Sequence, residues 1–177
     1  MGEVEVRPAT VDDAEAIAIV HVRSWQSAYR GLMPDDLLDG LSVARRAGAW
    51  RTIMESGGEW SALLVLEGDH DVEGFAHLCA ARYAGAPADT GEITSIYLQP
   101  ESWGRGAGRA LMDAAVQRLA AEGFGDAILW VLVGNERARR FYEAAGWTCD
   151  GTEKSERVGA EGRPGVTITE TRYRRVL

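Results

Sequence analysis

The chain has few cysteines, no long apolar run and no excess of positive charge, and each shortage closes off a class of protein. Two cysteines in 177 residues, Cys79 and Cys149, build no disulfide framework. Both stand in apolar, strand-like surroundings, so free buried thiols in a reducing cytoplasm are expected. No stretch approaches the roughly 20 apolar residues that span a bilayer. The first residues lack a basic flank followed by an apolar run, so no signal peptide is expected and the protein is read as cytoplasmic, with no membrane partner. A formal net charge of -8 argues against sequence-independent nucleic-acid binding, which needs clustered Lys and Arg to displace counterions. The same charge steers a cationic or neutral small molecule slightly better than an anionic one. Repeats and low-complexity linkers are also missing, which makes residues 1–177 a single expected domain.

What is present is an ordinary globular composition, 46% hydrophobic and 26% charged. The alternation Val4-Glu5-Val6-Arg7 predicts a first strand. Thr10 and Asp13 then form a capping pattern that opens a helix. On that helix Ile17, Val20, Ser24 and Ala28 share one stripe, while His21, Trp25 and Tyr29 share a neighbouring face. Gly31 stops the helix, Pro34-Asp35-Asp36 starts a short second one, and a third runs over 43–55 to the break at Ser56-Gly57-Gly58. Strands are predicted over 60–67 and 72–82, joined by the turn Gly68-Asp69-His70-Asp71. A strand over 92–98 runs into Pro100 and a glycine turn, followed by a helix carrying Ala110, Leu111, Ala114, Ala115 and Leu119. The apolar run Ala127 to Val133 reads as a strand buried on both faces. Asn135 caps a last helix with Phe141 and Tyr142, closed at Gly146, and strands over 147–156 and 166–176 flank a loop over 159–165. This order predicts a mixed α/β fold around one central sheet.

The strand, glycine turn and helix N-terminus together make an anion site. Unpaired amides of a first helical turn point outward, and the macrodipole adds partial positive charge there. Gly104, Gly106 and Gly108 permit unusual dihedrals and leave room for a phosphate, and Arg105 and Arg109 can add charge-assisted contacts. A Walker loop would need Lys-Ser/Thr where Arg109-Ala110 stands. A dinucleotide fingerprint fails as well, because its last glycine falls on Arg109 or Leu111.

The turn Trp103-Gly104-Arg105-Gly106-Ala107-Gly108, preceded by Ile96-Tyr97-Leu98-Gln99-Pro100, resembles the Gln/Arg-x-x-Gly-x-Gly/Ala motif of the GNAT superfamily of N-acetyltransferases. Further on, Asn135, Ala138, Tyr142 and Gly146-Trp147 are similar to that family's Asn-x-x-Ala-x-x-x-Tyr-x-x-x-Gly-Phe pattern, with Trp147 in place of Phe. The opening Arg7-Pro8-Ala9-Thr10 resembles its first strand and helix, so the likeness covers nearly the whole chain. Trp103 is the departure, standing where Gln or Arg is usual; the turn then works through backbone amides.

The resemblance implies a GNAT-like, mostly antiparallel mixed sheet with splayed central strands, flanked by helices. It also implies acetyl-CoA as cosubstrate, with no metal: neither His70 nor His77 has a paired Cys or carboxylate at ligand spacing. Ile96, Tyr97 and Leu98 are then expected to offer backbone hydrogen bonds to the acetyl and pantetheine groups. The residues Trp103, Gly104, Arg105, Gly106, Ala107, Gly108 and Arg109 are expected at the pyrophosphate, and Asn135 at the pantetheine arm. Tyr142 is the implied acid that protonates the departing thiolate, a role its phenol suits. An acceptor amine with a pKa of about 10.4 must lose a proton, for which Glu92 or a water chain is the implied route. Trp25 and Tyr29, with His21, are candidate acceptor contacts. The expected reaction is direct transfer of an acetyl group to a primary amine of a small molecule or peptide. A non-catalytic acyl-CoA sensor, an O-acetyltransferase and a longer-chain acyltransferase are the alternatives, and a homodimer is left open.

Overall fold

A computed structural model describes residues 4–56, 59–68, 71–159 and 165–177. The break at Gly57-Gly58, the Asp69-His70 tip of the predicted turn and most of the loop over 159–165 lie outside them. The strands are β1 (Glu5–Pro8), β2 (Ser61–Glu67), β3 (Val72–Ala80), β4 (Thr90–Leu98), β5 (Asp126–Leu132), β6 (Thr148–Val158) and β7 (Val166–Val176). The helices are α1 (Ala14–Ala28), α2 (Asp35–Asp39), α3 (Val43–Glu55), α4 (Ala107–Glu122) and α5 (Glu136–Ala144). Every predicted element is present, with ends shifted by a residue or two. Two 3-10 turns add to the predicted set: Val11–Asp13, which leads into α1, and Pro100–Ser102, where Pro100 fixes the first dihedral and Ser102 N–H closes on Gln99 O at 3.0 Å.

The strands form one seven-stranded sheet in the order β1-β2-β3-β4-β5-β7-β6. All neighbours run antiparallel except β4 and β5, which are parallel. Helices cover both faces. Leu111, Met112, Ala115 and Leu119 of α4, all fully buried, pack on Leu78, Ile93 and Leu129. Each large side chain so buried contributes roughly 1.5–3 kcal/mol. On the opposite face Ile17 and Val20 of α1 and Trp50 of α3 pack on Val65 and Phe75. Central strands with helices on both sides need apolar residues on both faces, which is why β5 reads as a continuous apolar run.

Two irregularities coincide in β4. Its register with β3 jumps, His77 pairing with Ser95 and Leu78 with Ile93, so that Thr94 is an extra, bulged residue. Its parallel pairing with β5 covers Thr90 to Ile93 and ends there. A bulge bends and twists its strand, so β4 and β5 diverge just past it and leave a gap in the middle of the sheet.

Candidate active site

The gap opens into a cavity of about 410 Å³ between β4, β5 and the N-terminal ends of α4 and α5. Among the predicted cosubstrate residues, Ile96, Tyr97, Leu98, Trp103, Gly104, Gly106, Gly108, Arg109 and Asn135 all line it. Arg105 is exposed and Ala107 is buried under the turn, and neither lines the cavity. The bulge residue Thr94, Trp130, Arg137 and Phe141 also form walls; none is a predicted site residue, and Thr94 is exposed by a splay that only the tertiary structure shows.

The glycine turn is shaped for an anion. Gly104 and Gly106 have φ of +76° and +86°, a region that L side chains rarely adopt. Among the described residues, the N–H groups of Gly104, Arg105, Gly106, Ala107 and Gly108 donate no backbone hydrogen bond. They lie at and just before the start of α4, and Gly104, Gly106 and Gly108 among them line the cavity. At Gly108 a Cβ would meet Phe141 at 3.4 Å, an ordinary van der Waals contact. Arg109 is committed within the fold, its Nε donating to Asp113 at 3.0 Å and its Nη1 to Ala144 O at 3.2 Å.

Trp103 turns its indole back toward the strand. Nε1–H donates to Leu98 O at 3.1 Å, and the Arg137 guanidinium lies 3.9 Å above the ring centroid. At the start of α5, Asn135 Oδ1 accepts from Ala138 N–H at 3.2 Å as the helix cap, and the residue lines the cavity.

Tyr142 is 8% exposed and borders the same cavity. Burial first, then Tyr97 and Glu170, raise its pKa above the ordinary phenol value, so its proton is held at neutral pH. Glu92 is 4% exposed and lines neither this cavity nor its smaller neighbour; its Oε2 accepts from Arg82 N–H at 3.0 Å and its Oε1 from Arg82 Nη2 at 3.1 Å. Tyr29 lines the large cavity and Trp25 the smaller one. Cys79 is a buried free thiol and Cys149 a half-buried one.

The architecture is that of solved N-acetyltransferases. Over 99% of both chains it superposes on PaiA N-acetyltransferase of Thermoplasma acidophilum, solved with coenzyme A, at a TM-score of 0.75 and 18% identity. Over 98% of this chain and 99% of the other it superposes on a ribosomal-protein-alanine N-acetyltransferase of Brucella melitensis, with a TM-score of 0.71 and 19% identity. In sequence it is 33% identical to YuaI, an uncharacterized N-acetyltransferase of Bacillus subtilis, across 80% of this chain and 78% of that one. Shorter likenesses include 42% identity to the mycothiol acetyltransferase of Beutenbergia cavernae, over 45% of this chain and 27% of the relative. The acetyltransferase (GNAT) family model matches residues 23–147, and the chain belongs to that family. It is an acetyl-CoA-dependent N-acetyltransferase.

Proposed function

We propose that the protein transfers an acetyl group directly from acetyl-CoA to a primary amine of a small molecule or peptide, within the 410 Å³ cavity. The observation that carries this reading is the row of unbonded amides from Gly104 to Gly108 beside a cavity that the buried Tyr142 also lines. The turn amides fit a pyrophosphate, the unpaired edge of β4 from Ile96 to Leu98 fits an amide-bearing arm, and Asn135 fits the same arm through its NH2 group. Acetyl-CoA bound there supplies an activated thioester. Holding amine and thioester together supplies much of the acceleration. Tyr142 donates its proton to the departing thiolate and recovers one from the newly acylated nitrogen. Glu92 has the right residue type for the base and stands on β4, the strand that leads into the gap; to serve, it must first leave Arg82. Two free thiols and, among the described residues, no helix long and apolar enough to cross a membrane support a cytoplasmic setting.

Gly106→Glu tests the cosubstrate site, since it forces a side chain into a φ of +86° and sets a carboxylate where phosphate would bind. Calorimetry should show loss of CoA binding; native affinity would remove the turn from its assigned role. Thiol release from acetyl-CoA, screened over amines, amino acids, aminoglycosides and N-terminal peptides, tests turnover.

A further inference from the structure

A second cavity, of about 230 Å³, opens on the α1 side of the sheet and shares Tyr29, Thr94, Ser95 and Tyr97 with the first. The two therefore meet across the gap between β4 and β5. At its wall stands His21, 5% exposed, with neither ring nitrogen hydrogen-bonded among the described residues. Buried polar groups are nearly always paired, so an unpaired one beside a cavity is an unusual feature of this wall. Burial, helped by Arg46, lowers the His21 pKa to about 3, so the ring is neutral and offers one donor and one acceptor.

The walls carry both signs of charge at separate places. Arg46 reaches in from α3, its guanidinium 5.6 Å over the Trp25 ring. Glu156 on β6 and Glu170 on β7 line the cavity from the sheet, and Lys154 Nζ lies 3.2 Å from Glu170 Oε2. The Tyr97 phenol feels Glu170 and Arg46 with opposite effect, which places it within reach of both charges. The lining charges are Arg46 on one side and Glu156 and Glu170 on the other, with Lys154 behind Glu170 balancing the sum, and this separation of signs matches a zwitterion better than a polycation. The volume, below the roughly 300 Å³ at which drug-sized sites begin, favours a small one.

We infer that this second cavity is the acceptor site, that it takes a small amino-acid-like zwitterion with its ammonium at Glu170 and its carboxylate at Arg46, and that Glu170 receives the amine's proton. The inference rests on the acetyltransferase reading and sharpens it. Glu170 lines the acceptor cavity and acts electrostatically on Tyr29, Tyr97 and Tyr142, whereas both oxygens of Glu92 are held by Arg82. Burial keeps the Glu170 carboxyl above the usual range, against the pull of Lys154, which suits a group that must take up a proton. In the step, the ammonium gives one proton to Glu170 and its nitrogen bonds the acetyl carbon. The carbon–sulfur bond breaks, and the thiolate takes the Tyr142 proton. The phenolate is reprotonated by the second amine proton, and Glu170 releases its own to solvent.

The test compares L-phenylalanine and L-methionine with 2-phenylethylamine and spermidine as acceptors, in wild type, Glu170→Gln, Glu92→Gln and Arg46→Gln. The amino acids should be acetylated with kcat/KM at least about ten-fold above the matched amine, and Arg46→Gln should erase that preference. Glu170→Gln should lower kcat at least about 100-fold, within the span of general-base effects, and abolish the acidic limb of the pH profile, while Glu92→Gln retains it. That limb reflects Glu170 among Lys154, Glu156, Glu92, Arg46, His21 and the three tyrosines, so its exact position will differ from a free carboxylate. Equal or better turnover of phenylethylamine or spermidine, or a limb that survives Glu170→Gln and vanishes in Glu92→Gln, overturns the inference. Calorimetry of L-phenylalanine on the CoA complex separates the two readings. Binding that Arg46→Gln weakens, without thiol release, upholds the pocket and removes catalysis; no binding and no acetylation of either amino acid removes the pocket.

Discussion

Trp103 shows how a residue that departs from its motif keeps the motif's geometry. Its indole spends its one donor on Leu98 O and its face on Arg137, tying the turn to the end of β4 and to α5. An exposed cation–π contact and a hydrogen bond are each worth roughly 0.5–1.5 kcal/mol, so Trp103→Ala is expected to weaken CoA binding about ten-fold by loosening the turn. Titration calorimetry measures this, and an unchanged Kd would show that the amides hold their positions without the indole. For Tyr142, removing the hydroxyl alone separates chemistry from binding. Tyr142→Phe should lower kcat by about 10²–10⁴-fold at nearly constant CoA affinity, the span of general-acid effects. Unchanged turnover would strip the phenol of its role.

At the scale of elements, α5 begins at a residue that caps it and that the proposed function also assigns to binding. Asn135→Ala removes the acceptor for Ala138 N–H and should cost about 1 kcal/mol in denaturant unfolding. Asn135→Asp keeps an acceptor oxygen and so the cap, but loses the NH2 donor. It should retain stability while binding CoA more weakly; equal affinity would mean that Asn135 only caps. The elements themselves are largely legible in the sequence, because periodicity and capping are local. The Thr10–Asp13 pattern is realised, Asp13 Oδ2 accepting from Thr10 N–H at 2.7 Å while both its oxygens take the Arg7 guanidinium at 2.8 Å. That partnership holds the Asp13 carboxyl down to about 2. The start of β4 is less visible. Thr90 joins the strand because its hydroxyl donates to Asp126 on β5 at 2.7 Å, a contact between segments distant in sequence.

For the molecule as a whole, two buried histidines contribute to the response to acid. Desolvation, the leading cause for both, takes His21 from 6.5 down to about 3 and His77 from 6.5 to about 4. Their folded pKa values lie below the unfolded ones, so the unfolded chain binds protons first as the pH falls. Their contribution to stability is thus full above the ordinary histidine value of 6.5 and declines toward about 4 and below. Urea midpoints measured from neutral pH down to the lower of these values should fall, and His21→Leu should flatten part of that slope; an unaltered slope would mean that the His21 ring is solvated in the native state. The histidines sit in one aromatic cluster, His21 being 5.2 Å from Tyr97 and 5.3 Å from Trp25 between ring centroids, so the acceptor side and the fold share a core.

The sequence alone determined the order of elements, the glycine turn before α4 and the cap of α5, because each depends on dihedral preferences and hydrogen bonds within a few residues. It also carried the family, since Gly104, Gly106, Asn135 and Tyr142 stand in two motifs whose spacing is set by those same local structures. Only the tertiary structure decided where the splay opens. Thr94 is a bulge solely because β3 and β4 pair in registers that disagree on its two sides. That packing likewise gave both Glu92 oxygens to Arg82 and brought Glu170, from the last strand, to the acceptor cavity. A carboxylate's role depends on which charges and which solvent surround it, and those come from residues far away along the chain.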